Sequence, residues 1–280
     1  MSLRRAARAA VPAVLLALAL AVPGAQGAPA QPPAPVPAAG PLRIFALDSR
    51  PVSFIRNGQP TGFAIELAQA LIARMDGRVR LHPVEVMPWV RAHTMAAREA
   101  NVLLLTAART PGREHYLTFV GPLFPETIFA YALTDRAEAL RALGPGLRKL
   151  RAGARRGSMF VDMARAAGYT IVDEPAASRT GVKMLMSQRF DLWIDGEDIV
   201  GPALHEAGYG REAVAQVAEL GTVEIHLAFS RGTSEATVAA FESALRAMKR
   251  DGSYQRLLRE WLPGLPPTPE TRRHGLLEQR

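Results

Sequence analysis

Val102-Leu103-Leu104-Leu105-Thr106-Ala107-Ala108-Arg109-Thr110-Pro111-Gly112-Arg113 is the stretch that decides the architecture. Four apolar residues in succession, without alternation, are the pattern of a strand buried on both faces, as parallel sheets require. The run opens directly into a hydroxyl, two guanidiniums and a Pro-Gly break. In parallel α/β sheets ligands bind just past the carboxyl ends of the strands. Thr106, Arg109 and Arg113 are therefore candidate contacts for an anion, since the arginine fork matches a carboxylate. The competing reading is a surface loop whose arginines meet only solvent.

Outward from this stretch, strand and helix signals alternate. Upstream, Arg43–Leu47 reads as a buried strand, Phe63–Arg74 as a helix, Val79–Val86 as extended chain and Trp89–Ala100 as a helix after Pro88. Downstream, strands are expected at Ile128–Leu133, Ala152–Arg155, Thr170–Val172, Leu192–Ile194, Val214–Glu219 and Ile225–Phe229. Helices are expected at Ser158–Ala167, Arg179–Ser187 and Ile199–Ala207, the first capped by Ser158. Ser234 caps a longer helix with Val238, Phe241, Leu245 and Met248 on one stripe, and Asp251-Gly252-Ser253 separates it from a last helix ending at Trp261. Alternating βα units predict open, mostly parallel sheets flanked by helices, as one many-stranded sheet or two smaller lobes.

Composition narrows the function class. The chain has 280 residues, 48% apolar and 21% charged, which suits a folded globular protein. The absence of cysteine excludes a disulfide scaffold, a zinc–thiolate site and a cysteine nucleophile. The net charge is +8, but only three of the 34 cations are lysines, a compositional bias rather than a functional signal. Six histidines without ligand spacing argue against a metal, and no phosphate-loop, dinucleotide, nucleophile-elbow or zincin motif occurs, so no cofactor is expected.

The N-terminus sets the compartment. Arg4, Arg5 and Arg8 precede the apolar run Ala9–Val22, and small residues follow at Ala25 and Gly27. This is the layout of a secretory signal peptide over residues 1–27, and its apolar run is shorter than the ~20 residues of a membrane span. The expected product is a soluble periplasmic protein, which makes nucleic acid an improbable partner. Residues 28–41 hold six prolines and form an extended tether, and residues 263–280 form a polar tail.

Two further features bear on a site. The run Arg141, Arg148, Lys149, Arg151, Arg155, Arg156 contains no acid. It is either a solvated edge or a place where Arg155 or Arg156 faces a cleft. Gly157-Ser158 before a helix lets the backbone approach an anion at the free N–H groups, or is an ordinary cap.

Taken in order, several segments resemble family 3 of the bacterial extracellular solute-binding proteins, the polar-amino-acid type. They are Asn57–Phe63 leading into Glu66-Leu67-Ala68, Met87-Pro88-Trp89, Thr106–Arg113, Phe119–Pro122, Gly157-Ser158, Arg189-Phe190-Asp191, Ala228–Thr233, Met248–Tyr254 and Trp261. The resemblance implies a type II periplasmic binding fold: lobe 1 from 42–127 plus 231–262, lobe 2 from 128–230, and two crossover strands near Ile128–Leu133 and Ile225–Phe229. It implies a monomer that closes around a small ligand and delivers it to the membrane permease of an ABC importer, without catalysis. An exported dehydratase acting on a cyclic carboxylic acid, with Asp195 or Glu197 as acid–base group, and a ligand-presenting sensor are the alternatives.

By the same resemblance Arg113 grips the ligand's carboxylate, Thr106 supplies a hydroxyl, and Ser158 completes the site from lobe 2. Departures are Ala108 for a second hydroxyl, Ser49 for a stacking aromatic that Phe54 or Trp89 would have to replace, and Gly196 for the aspartate that receives an ammonium group. Asp195, Glu197 and Asp198 flank that glycine. Its loss predicts an anionic ligand other than a standard α-amino acid, unless Asp195 takes over.

Overall fold

The computed structural model describes residues 40–265 apart from 76 and 78. The signal peptide, nearly all of the tether and nearly all of the C-terminal tail lie outside the described residues. The strands are β1 (Leu42–Leu47), β2 (Phe54–Arg56), β3 (Gln59–Thr61), β4 (Leu81–Met87), β5 (Val102–Ala108), β6 (Leu117–Leu133), β7 (Arg151–Ala154), β8 (Thr170–Asp173), β9 (Leu192–Gly196) and β10 (Val214–Ser230). The helices are α1 (Phe63–Ala73), α2 (Trp89–Arg98), α3 (Pro111–Glu114), α4 (Thr134–Arg141), α5 (Met159–Ala166), α6 (Ser178–Met186), α7 (Glu197–Ala207), α8 (Glu235–Arg250) and α9 (Ser253–Trp261).

Eight strands hydrogen-bond in the order β4-β1-β5-β10-β6-β9-β7-β8, and β2 and β3 form a separate hairpin. The ends of this order are two parallel trios, β4-β1-β5 and β9-β7-β8. Their central and inner strands read as the sequence demands: Val102–Leu105 and the whole of β9 are buried. Helices cover the sheet with apolar stripes, as in α8, where Phe241, Ala244, Leu245 and Met248 are buried and the Ser234 hydroxyl accepts the Thr237 amide.

Between the trios run two antiparallel 17-residue strands, β6 and β10, paired from Val214↔Leu133 to Ser230↔Leu117. The sequence predicts shorter pieces here, with Val214–Glu219 and Ile225–Phe229 as separate strands. The pairing survives because register shifts absorb the irregularities, between Gln216 and Ala218, Glu219 and Gly221, and Ile225 and Leu227. Gly221, at φ 127, takes one bend that a side chain would resist. Among the described residues these two strands are the only sheet connection between the trios, so both parallel ends open onto a common groove.

Candidate functional site

A cavity lies in that groove, past the carboxyl ends of β1, β5 and β7. Ser49 and Val52 follow β1, Thr106 and Ala108 end β5, and Arg113 projects from α3. Phe124 and Glu126 come from β6 and Ile225 from β10, while Arg155, Ser158, Met159 and Phe160 come from the turn after β7 and the start of α5. Trp89 at the head of α2 and Ile199 of α7 complete much of the apolar wall.

Arg113 is 7% exposed, and its Nη1 donates to the Ala108 carbonyl at 3.2 Å. Its guanidinium lies 5.2 Å from the Trp89 ring centroid, a cation–π arrangement that fixes the fork without using up its donors. Burial pulls its pKa below the ordinary arginine value, and Tyr116 and Asp162 pull back. It joins no ion pair among the described residues. Beneath it, His93 packs 4.5 Å from Trp89 and bonds the Tyr116 hydroxyl at 3.2 Å. Burial first, and then the Arg113 charge, hold that imidazole down at about 4.

Trp89 reaches across the groove: its Nε1 donates to the Gly157 carbonyl at 2.8 Å. Gly157 sits at φ 64, where a Cβ would stand 2.8 Å from a Val90 methyl, so both backbone conformation and close approach call for glycine. An Arg50–Glu206 ion pair at 2.8 Å makes a second link across, from the segment after β1 to α7.

Ser158 occupies the N-cap position of α5, but its hydroxyl donates back to the Arg155 carbonyl at 2.6 Å and caps no α5 amide. Arg155, which the sequence leaves between a solvated edge and a cleft, is 7% exposed with its guanidinium 5.3 Å from the Phe160 ring centroid. Its Nε has no hydrogen-bond partner. Burial lowers its pKa, opposed by Asp195, Glu126 and Asp48.

The structure thus brings Thr106, Arg113, Trp89 and Ser158 to one cavity, with Gly157 at its edge. Arg109 lies elsewhere. It is largely exposed and bonds Glu114 at 2.6 Å. Asp195 is fully buried behind the wall, its carboxylate accepting the Trp193 indole N–H and the Gly196 amide, both at 3.0 Å. Phe54 is in the core against Trp261, while Ser49 lines the cavity with its hydroxyl unpartnered. Among the described residues no group of three His, Asp or Glu side chains could hold a metal.

Glu126 is the residue that sequence reasoning missed. It is 3% exposed, its Oε1 has no hydrogen-bond partner, and it is the one acidic side chain among the described residues lining the cavity. Burial raises its pKa well above the carboxylate range, reinforced by Asp198 and Asp195. A signal was available: Glu126 is the sole charged residue in Leu117–Leu133. A Cβ placed on Gly196 would overlap the Glu126 carboxylate, so this side chain fills the volume the glycine leaves.

The sequence model of bacterial extracellular solute-binding proteins, family 3, matches residues 42–264. The chain belongs to that family. No match was found among curated proteins. Solved structures share the type II periplasmic binding fold. A histidine kinase sensor domain with similarity to periplasmic binding proteins is 19% identical, with TM-score 0.68 over 80% of this chain and 96% of that one. An ancestral arginine-binding protein bound to arginine is 19% identical, with TM-score 0.66 over 80% and 99%. The ancestral amino acid-binding protein AncCDT-1, a precursor of cyclohexadienyl dehydratase, is 22% identical, with TM-score 0.64 over 79% and 95%. Family 3 proteins are typically periplasmic and soluble, and no described helix of this chain is long and apolar enough to cross a membrane.

Proposed function

We propose that this solute-binding protein, freed of residues 1–27 in the periplasm, captures a small carboxylate-bearing ligand and delivers it to the permease of an ABC importer. The observation that carries the reading is Arg113, a buried guanidinium lining the cavity that joins no ion pair among the described residues. Burying a charge without a partner is costly, and a ligand carboxylate removes that cost. Thr106 and Ser158 add hydroxyls, Ser158 from the opposite wall. Residues 42–127 with 231–262 act as one lobe and 128–230 as the other. β6 and β10 serve as the hinge, and the Trp89–Gly157 and Arg50–Glu206 contacts belong to the closed form. The protein works as a monomer without a cofactor, and catalyses nothing.

A thermal-shift screen of residues 28–280 against amino acids, small carboxylates, oligopeptides and sugars tests the reading. A carboxylate-bearing compound at 100 times its Kd adds about 2.7 kcal/mol and raises Tm. Stabilisation by sugars alone would overturn it. Mass spectrometry of a periplasmic extract should find a chain starting near Ala28. An enzymatic reading draws support from Glu126, a buried carboxyl group that could serve as a general acid in the cavity. Product formation from cyclic carboxylic acids, followed by NMR, would favour it.

A further inference from the structure

Of the two guanidiniums at the cavity, Arg155 has Asp195, Glu126 and Asp48 in its electrostatic surroundings. Asp195 weighs most among these on Arg155, and its carboxylate is also held by the Trp193 and Gly196 N–H groups. Arg113 has Asp162 and the Tyr116 hydroxyl in its electrostatic surroundings and joins no ion pair among the described residues. The anionic group of the ligand therefore belongs at Arg113, which leaves Glu126 to be matched. Its Oε1 is buried beside Gly196 and has no hydrogen-bond partner, and Glu126 lines the cavity. An orphaned buried acceptor is costly, and a donor on the ligand removes that cost.

The position of that acceptor is specific. β6 pairs with β9 so that Ile128 faces Gly196, and the chain two residues before Ile128 delivers the Glu126 carboxylate to the space beside Gly196. The side chain absent from β9 is replaced by one from the neighbouring strand. Apart from Arg113, Arg155 and the hydroxyls of Ser49, Thr106 and Ser158, the cavity wall is mostly apolar, including Val52, Phe124, Met159 and Ile199. Among the described residues no second acid lines this cavity to receive a charged side chain.

We propose that Glu126 is the specificity-determining acceptor for a cationic amine of the ligand, and that the ligand is a small zwitterion with an apolar body. This rests on the carboxylate-capture reading and deepens it. The sequence expectation that the amine contact had gone with Gly196 is replaced by a contact relocated to β6.

Calorimetry on residues 28–280 tests it with L-leucine, L-phenylalanine, L-arginine and L-lysine, and with the amine-free analogues 4-methylpentanoate and 3-phenylpropanoate. L-Leucine or L-phenylalanine should bind at least 100-fold tighter than its amine-free analogue and tighter than arginine or lysine. Glu126→Gln should cut that preference below tenfold while the analogue binds as before. Gly196→Ala, which displaces the carboxylate without removing it, should weaken the amino acid in the same direction. Circular dichroism and a melt confirm folding of both, and either folded variant is sufficient. Four results would overturn the proposal: tighter binding of arginine or lysine, equal binding of amino acid and analogue, no binding by any amino acid, or a preference unchanged by Glu126→Gln and lost in Asp195→Asn. Full affinity for every compound in Arg113→Met would instead overturn the carboxylate-capture reading, so the two failures are distinct.

Discussion

Arg113 and Glu126 line the same cavity, Arg113 from the short helix α3 just past the end of β5 and Glu126 from within the long strand β6. The arginine is placed by local sequence. An apolar strand ends, Thr110-Pro111-Gly112 turns the chain, and the guanidinium is held by the Ala108 carbonyl and the Trp89 ring. The carboxylate is placed by tertiary pairing. Nothing near Glu126 in the chain marks its target, and only the β6–β9 register brings it beside Gly196. A charge positioned by a turn can be read from the chain, whereas one positioned by a neighbouring strand emerges only with the sheet.

The sharpest way to break this comparison is to remove the locally placed charge. Arg113→Met should lose 2–5 kcal/mol of binding for any carboxylate ligand, on the order of 30-fold to several-thousandfold in Kd, because the ligand's anion stays desolvated without a partner. Circular dichroism should remain native. Arg109→Ala, at an exposed guanidinium whose partner is Glu114, should change Kd by less than about twofold. Comparable losses in both variants would show that the charge of the segment matters rather than the geometry of α3.

A smaller effect tests whether the two walls act together. The Trp89 indole N–H donates across the groove to the Gly157 carbonyl. Trp89→Phe keeps the ring and its face toward Arg113 but removes this donor. A single hydrogen bond nets about 0.5–1.5 kcal/mol, so affinity should fall roughly twofold to tenfold. The loss should show as faster ligand release in stopped-flow fluorescence, because the proposed hinge closure makes this contact in the closed form. Unchanged release would mean that the Trp89–Gly157 bond contributes nothing to closure.

The same division explains how much could be read beforehand. The alternating elements, the parallel trios and the cavity at the strand ends follow from apolar runs such as Val102–Leu105 and from caps such as Ser234, which act over a few residues. Thr106, Arg113, Trp89 and Ser158 share a cavity because each sits at the end of such an element. The length of β6 and β10 was not legible, because glycines and prolines at Gly121, Pro122, Pro125 and Gly221 look like strand ends unless the partner strand is known. Asp195 was too attractive a candidate for the opposite reason. Its neighbour Gly196 drew attention to it, while the Trp193 indole two residues before it folds back and takes one of its oxygens.

The smallest effect concerns His93, which reports on the Arg113 wall without touching the ligand itself. Its imidazole titrates at about 4, lowered first by burial and second by the Arg113 charge. NMR should find that midpoint in the wild type. In Arg113→Met it should rise, yet stay below the ordinary histidine value of about 6.5, because the larger cause, burial, persists. The sign for stability follows from proton counting. Between about 4 and 6.5 the unfolded chain holds a proton on this imidazole that the folded chain does not, so the group favours folding fully above that window. Its contribution, up to about 3 kcal/mol, is lost as pH falls from 6.5 through 4. Asp198, raised to about 6 by burial and by Glu197, works in the opposite direction: folding takes up a proton there as pH falls from 6 towards 4. The net slope of Tm against pH therefore understates His93, and the imidazole's own titration is the measurement to make. A His93 midpoint near 6.5 in the wild type would mean that the Trp89–His93–Tyr116 stack is open to water, and that Arg113 is less desolvated than its 7% exposure implies.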